Sequence, residues 1–149
     1  MKTFKQYINE NKYDHLSQEE QLKLVQIDGN NIRYIDNPTE EICLAAVKQD
    51  GYAIRYIKNR SEKVCLAAVQ QDGYAIQFIN NPKLKVQIIS YENSPKIIEK
   101  LWFSWNTEFQ HWFVEQNPKN IFKIPRKKLI PELAQKYKYL LSMSKVGIF

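Results

Sequence analysis

The sequence predicts an all-α fold: an array of short helix-turn-helix repeats of 22 residues, solenoid-like, with a basic, aromatic-rich C-terminal helical cap. Three observations carry this prediction. EICLAAVKQDGYAIRYIKNR (41–60) matches KVCLAAVQQDGYAIQFINNP (63–82) at a shift of 22 residues. Apolar residues recur at helical spacing inside each copy. The 149 residues include only 4 Gly and 6 Pro, too few for a loop-rich β-sandwich, and the 44% hydrophobic and 26% charged residues suit a folded chain with a real core.

The copies follow in order. QLKLVQIDGNNIRYIDNP (21–38) keeps Leu22, Val25, Asp28, Gly29, Ile32, Tyr34 and Ile35. The two clear copies come next, then VQIISYENSPKIIEKL (86–101), where Ser94-Pro95 replaces the Asp-Gly pair. A fifth, degenerate copy, VEQNPKNIFKI (114–124), has Asn117-Pro118 at the turn and keeps Val114, Ile121 and Ile124. Within a copy, Thr39 and Ser61 are N-caps whose hydroxyls accept from free first-turn amides, and Ser17 with Glu20 is a capping box. The first helix runs through Ile42, Ala45, Ala46 and Gln49, widened by Leu44 and Val47. Asp50-Gly51 stops it, the glycine being expected in a left-handed cap conformation and the aspartate capping the next helix. The second helix, Tyr52 to Ile57, buries Ala53, Ile54 and Ile57, and Asn37-Pro38 and Asn81-Pro82 end their copies. Helices of about 11 and about 6 residues cannot bury their faces alone, so stacked copies must supply the core.

This gives three parts: an N-terminal segment 1–16, helical repeats 17–101, and a divergent repeat with a helical cap, 102–149. The formal charge of +6 is unevenly spread. Residues 118–149 hold eight Lys/Arg against Glu132 alone, whereas residues 1–117 are near neutral. No run of about 18 apolar residues would span a membrane, and MKTFKQYINENK lacks the apolar stretch of a secretory signal. Cys43 and Cys65 occupy equivalent positions about 9–10 Å apart at ordinary helix spacing, beyond disulfide reach, and read as small buried residues. The expected compartment is a reducing cytoplasm or a particle assembled in one.

The Ala-Val-x-Gln-Asp-Gly-Tyr-Ala core of residues 46–53 and 68–75 resembles a family of short helical repeats of unknown function found in bacteriophages, giant viruses and bacteria. That resemblance implies an α-helical hairpin array and no catalytic residues. Met1-Lys2-Thr3-Phe4-Lys5-Gln6-Tyr7-Ile8-Asn9-Glu10 resembles the capsid-targeting peptide of T-even-type phage internal head proteins. The likeness implies processing at Ile8-x-Glu10, with cleavage between Glu10 and Asn11. Physically, Phe4, Tyr7 and Ile8 form an apolar stripe fit to dock in a partner's groove or to cap the first repeat.

No phosphate loop, nucleophile elbow or histidine-metal motif is present, so a non-enzymatic protein without metal or cofactor is expected. His15 and His111 lie in different copies, and turn and cap duty accounts for Asp28, Asp50 and Asp72. The candidate partner-binding residues are Arg33, Arg55 and Gln77, one repeat position on the outward side of the second helix. The adjacent Tyr34, Tyr56 and Phe78 read as core. Trp102 and Trp105 lie in the aromatic block LWFSWNTEFQHWF, either end-cap packing or an exposed anchor. Lys119, Lys123, Arg126, Lys127 and Lys128 are either a solvated face or a phosphate-binding end. Ile130 to Leu141 reads as one further amphipathic helix. The expected function is protein binding by a phage-type repeat protein, carried in the phage head and acting on host machinery or defence. The alternative is sequence-nonspecific association with nucleic acid through the basic end. A monomer is expected, because the N-terminal stripe and the aromatic block are candidate caps for the two ends of the array.

Overall fold

In the computed structural model, residues 13–99 and 106–143 are described. The fold is an all-α repeat array, with no strand among the described residues. The chain divides into two compact units, Met1–Ile97 and Ile98–Phe149. In the first unit, each copy pairs a ten-residue α-helix with a short 3₁₀-helix. These are α1 (Gln18–Ile27) with η1 (Gly29–Tyr34), α2 (Glu40–Gln49) with η2 (Gly51–Tyr56), and α3 (Glu62–Gln71) with η3 (Gly73–Phe78). The fourth copy is α4 (Leu84–Asn93) with η4 (Pro95–Glu99). Successive α-helices pack side by side, each of η1 to η3 packs against its own α-helix's successor, and η1, η2 and η3 pack in a row. The result is a two-layer stack whose core lies between the layers. Ile42, Cys43, Ala46 and Val47 of α2 face Ala53, Ile54 and Ile57, and all are buried.

The caps explain where each helix starts. Ser17 and Glu20 form the full capping box, Thr39 Oγ1 accepts from the Ile42 amide at 3.4 Å, and Ser61 Oγ from Val64 at 3.3 Å. The Ser17 hydrogen bonds hold the Glu20 carboxyl below its ordinary pKa. Each α-helix of the first three copies stops at an aspartate, whose carboxylate then caps the following helix. Asp28, Asp50 and Asp72 accept from the amides of Asn30, Tyr52 and Tyr74 at 2.9, 2.9 and 2.8 Å.

Three local details differ from the sequence reading. The second helix of each copy is 3₁₀, not α. With three residues per turn, Gly51, Ile54 and Ile57 fall on one buried line, while Tyr52 and Arg55 fall on an outer one. The glycines also serve a different purpose from the one expected. None of Gly29, Gly51 and Gly73 has a left-handed φ; a Cβ there would run into the backbone carbonyl of the next copy's α-helix, at 2.7 Å for Gly51 and Ala68 and 2.5 Å for Gly73 and Ser90. Close approach, not backbone conformation, excludes a side chain. The left-handed conformation occurs instead at Asn81, with φ 49°, just before Pro82.

Glutamines fasten the stack. Gln49 Oε1 accepts from the Gly29 amide of the preceding copy at 2.7 Å, and Gln71 Oε1 from Gly51 at 3.1 Å. In the fourth copy Ser90 Oγ donates to the Gly73 carbonyl at 2.8 Å, and Asn93 Nδ2 to the carbonyls of Val69 and Gln70. Arg60 adds a further link, donating from Nε to the Ile57 carbonyl at 2.7 Å and from Nη1 to Phe78 at 2.8 Å.

The second unit holds α5 (Thr107–Gln116), η5 (Pro118–Lys123), α6 (Pro131–Lys136) and α7 (Lys138–Met143). Asn106 caps α5 and Asn117 caps η5, so the degenerate copy retains the α-then-3₁₀ plan. Phe109 and Phe113 stack at 5.8 Å and are fully buried with Val114. Gln110 ties the next segment in place: it donates to the Lys128 carbonyl at 2.8 Å and accepts from the Ile130 amide at 3.1 Å. The single amphipathic helix expected after Ile130 is two short ones, separated at Tyr137 (φ −108°, ψ 23°).

Candidate partner-binding surface

The outer line of the 3₁₀ layer carries the candidate residues. Arg33, Arg55 and Gln77 are exposed, each at the fifth position of its 3₁₀-helix. Their aromatic neighbours are not core, contrary to the sequence reading. Tyr34, Tyr56 and Phe78 are half-buried, because a three-residue turn rotates the sixth position off the buried line carrying Ile32, Ile54 and Ile76. They therefore form a ledge on which the arginines lie. The Arg33 guanidinium carbon is 4.6 Å from the Tyr34 ring centroid and 6.0 Å from that of Tyr56. The Arg55 carbon is 4.6 Å from the same Tyr56 ring. A hydrogen bond with Tyr56 raises the Arg33 pKa further, so the charge is permanent. Between the second and third copies Tyr52 meets Phe78 edge-on at 5.5 Å. Burial, then the nearby Asp72, pushes the Tyr52 phenol up.

Sequence reasoning missed Asn30 and the shared role of Tyr56. Arg55 Nη2 donates to Asn30 Oδ1 at 3.3 Å, and Asn30 Nδ2 in turn donates to Asp50 Oδ2 at 2.7 Å. This chain of bonds fixes Arg55 between the first and second copies. The available signal was that Asn30 stands where the later copies have Tyr52 and Tyr74. Beside Arg33 lies a groove of about 360 Å³, lined by Arg33, Asp36, Asn37, Tyr56, Lys58 and Asn59 among others. Across the α layer, two shallower grooves of about 660 and about 590 Å³ share Leu44, Lys48 and Lys63.

In the second unit Lys119, Lys123, Arg126, Lys127 and Lys128 are all exposed, with Lys123 Nζ 5.8 Å from the Phe113 ring. Lys123 takes the place that Tyr34 and Tyr56 hold in the first two copies, so the arginine-on-aromatic pattern does not recur there. Ile8, Glu10, Trp102 and Trp105 lie outside the described residues. Cys43 and Cys65 are free and buried, and burial pushes both thiols up. Among the described residues there is no group of three or more His, Cys, Asp or Glu placed to hold a metal ion, and no helix is long and apolar enough to cross a membrane.

Residues 19–60 and 39–85 match the family described as a domain of unknown function, DUF4116. Residues 19–85 are thus similar to the repeats of an uncharacterised family. Each match spans about two copies, as expected of a unit whose 3₁₀-helix packs on the α-helix of its successor. No curated protein and no solved structure matches the chain.

Proposed function

We propose that this chain is a non-catalytic, protein-binding repeat scaffold, and that its 3₁₀ layer is the partner surface. One observation carries the reading: in the outward row of Arg33, Arg55 and Gln77, both arginines lie on a half-buried aromatic ledge. Arginine and tyrosine held in place this way lose little entropy on binding and are the residue types that anchor interfaces. The aromatic block with Trp102 and Trp105 would add a second contact. The likeness of residues 1–10 to a capsid-targeting peptide supports the finer reading: a bacteriophage protein carried in the head, freed of its first ten residues, and acting as a monomer on host machinery or host defence.

The test is capture from nuclease-treated lysate of producing cells, comparing the wild-type chain with Arg33→Glu/Arg55→Glu/Gln77→Glu. Loss of specific partners in the variant supports the surface, and unchanged capture refutes it. A mass spectrum of the protein from mature virions decides the processing step, since an intact Met1 rules it out.

The exposure of all five basic residues from Lys119 to Lys128 supports a second reading, association with nucleic-acid phosphates. Five such contacts on duplex DNA would give a slope of log affinity against log salt near about −4.5, with little sequence preference. Salt-insensitive or absent binding in a shift assay would end it.

A further inference from the structure

We infer that Arg33 and Arg55, backed by Tyr56, clamp the carboxylates of an acidic, extended segment of the protein partner; this rests on the protein-binding reading above and adds the chemistry of the partner. Two guanidinium groups share one tyrosine ring. Neither makes an ion pair among the described residues, where the salt bridges are Lys23–Glu19 and Lys83–Glu62. Two like charges beside one ring favour an incoming anion. Both groups are already aligned: Arg33 lies on Tyr34 and beside the Tyr56 ring, and Arg55 lies on Tyr56 and is held by Asn30. A guanidinium has five N–H donors in a planar fork, so these bonds leave most of the donors for a carboxylate.

The groove beside Arg33 and Tyr56 selects the kind of anion. Its lining mixes Arg33 and Lys58 with Asp36, Asn37 and Asn59. A uniform polyphosphate would meet the Asp36 carboxylate unfavourably. A peptide offers acidic side chains to the arginines and backbone amides to Asp36 and the asparagines. The spacing also suits a peptide. Equivalent positions on neighbouring copies stand roughly one helix spacing apart, about 8–10 Å. Three residues of extended chain cover about 10 Å.

The experiment uses the full chain at low ionic strength and fluorescence anisotropy of a labelled peptide of repeating Glu-Gly-Ser. A Gln-Gly-Ser peptide and a short thymidine oligonucleotide serve as comparison probes. The expected result is binding of the Glu peptide at least about tenfold tighter than the Gln peptide, the scale of one lost charge-assisted hydrogen-bonded contact. Arg33→Gln/Arg55→Gln should erase that difference, and Lys127→Gln/Lys128→Gln should leave it intact. Arg33→Lys keeps the charge but loses the planar fork, so an intermediate loss is expected, and this variant serves if the double change impairs folding. Equal binding of the two peptides, or a Glu preference that survives the double variant, overturns the inference. So does an oligonucleotide that binds the arginine pair more tightly than the Glu peptide. Partner capture that still depends on the 3₁₀ layer, with no Glu preference, leaves the protein-binding reading standing and removes the acidic clamp alone.

Discussion

Replacing Gly51 by alanine places a methyl carbon 2.7 Å from the Ala68 carbonyl oxygen and 3.1 Å from Gln71 Oε1. The oxygen is backbone, and it already accepts from the Asp72 amide at 2.9 Å to close the last turn of α3. The two copies must separate, since the helix end cannot yield alone. Forcing an extra carbon into a packed contact costs about 1–3 kcal/mol. The same separation weakens the Gly51–Gln71 hydrogen bond, worth about 0.5–1.5 kcal/mol. Reduced freedom of the unfolded chain returns about 0.4–1 kcal/mol. The net expectation is a loss of about 2 kcal/mol, seen in urea unfolding as a midpoint lowered by about 1 M at unchanged slope. Gly51→Asn sharpens the test. Were Gly51 a left-handed cap, asparagine would be tolerated better than alanine. A contact limited by space predicts that asparagine, being larger, is at least as damaging. A stability within about 0.5 kcal/mol of wild type for Gly51→Ala, or an asparagine variant more stable than the alanine one, would refute the reasoning.

Three more outcomes are expected. Asp50→Ala removes the cap of η2 and the acceptor of Asn30, so urea unfolding should show a loss of about 1–2 kcal/mol, with Asp50→Asn milder. Arg33→Glu/Arg55→Glu should change stability by no more than about 1 kcal/mol per site, the scale of an exposed cation–π contact, in the same unfolding assay. Cys43 and Cys65 should react slowly with a thiol reagent at mildly alkaline pH in the native protein and rapidly in denaturant. Because burial raises both thiol pKa values in the folded state, their contribution to stability is fully present below the unfolded thiol value. It declines as pH rises through the folded one, which a urea series across that range measures.

The parts of the fold governed by local chemistry were readable in the sequence. Ser17, Thr39 and Ser61 cap as their hydroxyls require, Asp28, Asp50 and Asp72 cap the following helix, and the apolar spacing of Ile42, Ala46 and Val47 marks the buried face. What depends on a neighbouring copy was not. A six-residue segment does not announce whether it winds at 3.0 or 3.6 residues per turn, and that choice decides whether Tyr56 is core or ledge. The steric role of Gly51 is invisible without Ala68 beside it, and an Asp-Gly pair suggests a left-handed cap more readily. Arg33 and Arg55 were identifiable as outward from their repeat position. Their convergence on Tyr56, and the anchoring of Arg55 by Asn30, arise only when neighbouring copies pack side by side.

The glutamine-to-glycine bonds give the array a direction. Gln49 completes the turn at Gly29 and Gln71 the turn at Gly51, so each of these copies leaves an amide that only its successor satisfies. Pro95 and Pro118 stand at the corresponding position in the fourth and fifth copies, and proline has no amide hydrogen to satisfy. A copy bearing proline asks for no such bond from the copy after it. The first unit ends at Ile97, two residues past Pro95. Lengthening such an array is therefore a matter of inserting glycine-type copies upstream of the proline-type one, whereas appending them after it would leave the added turns without an heir.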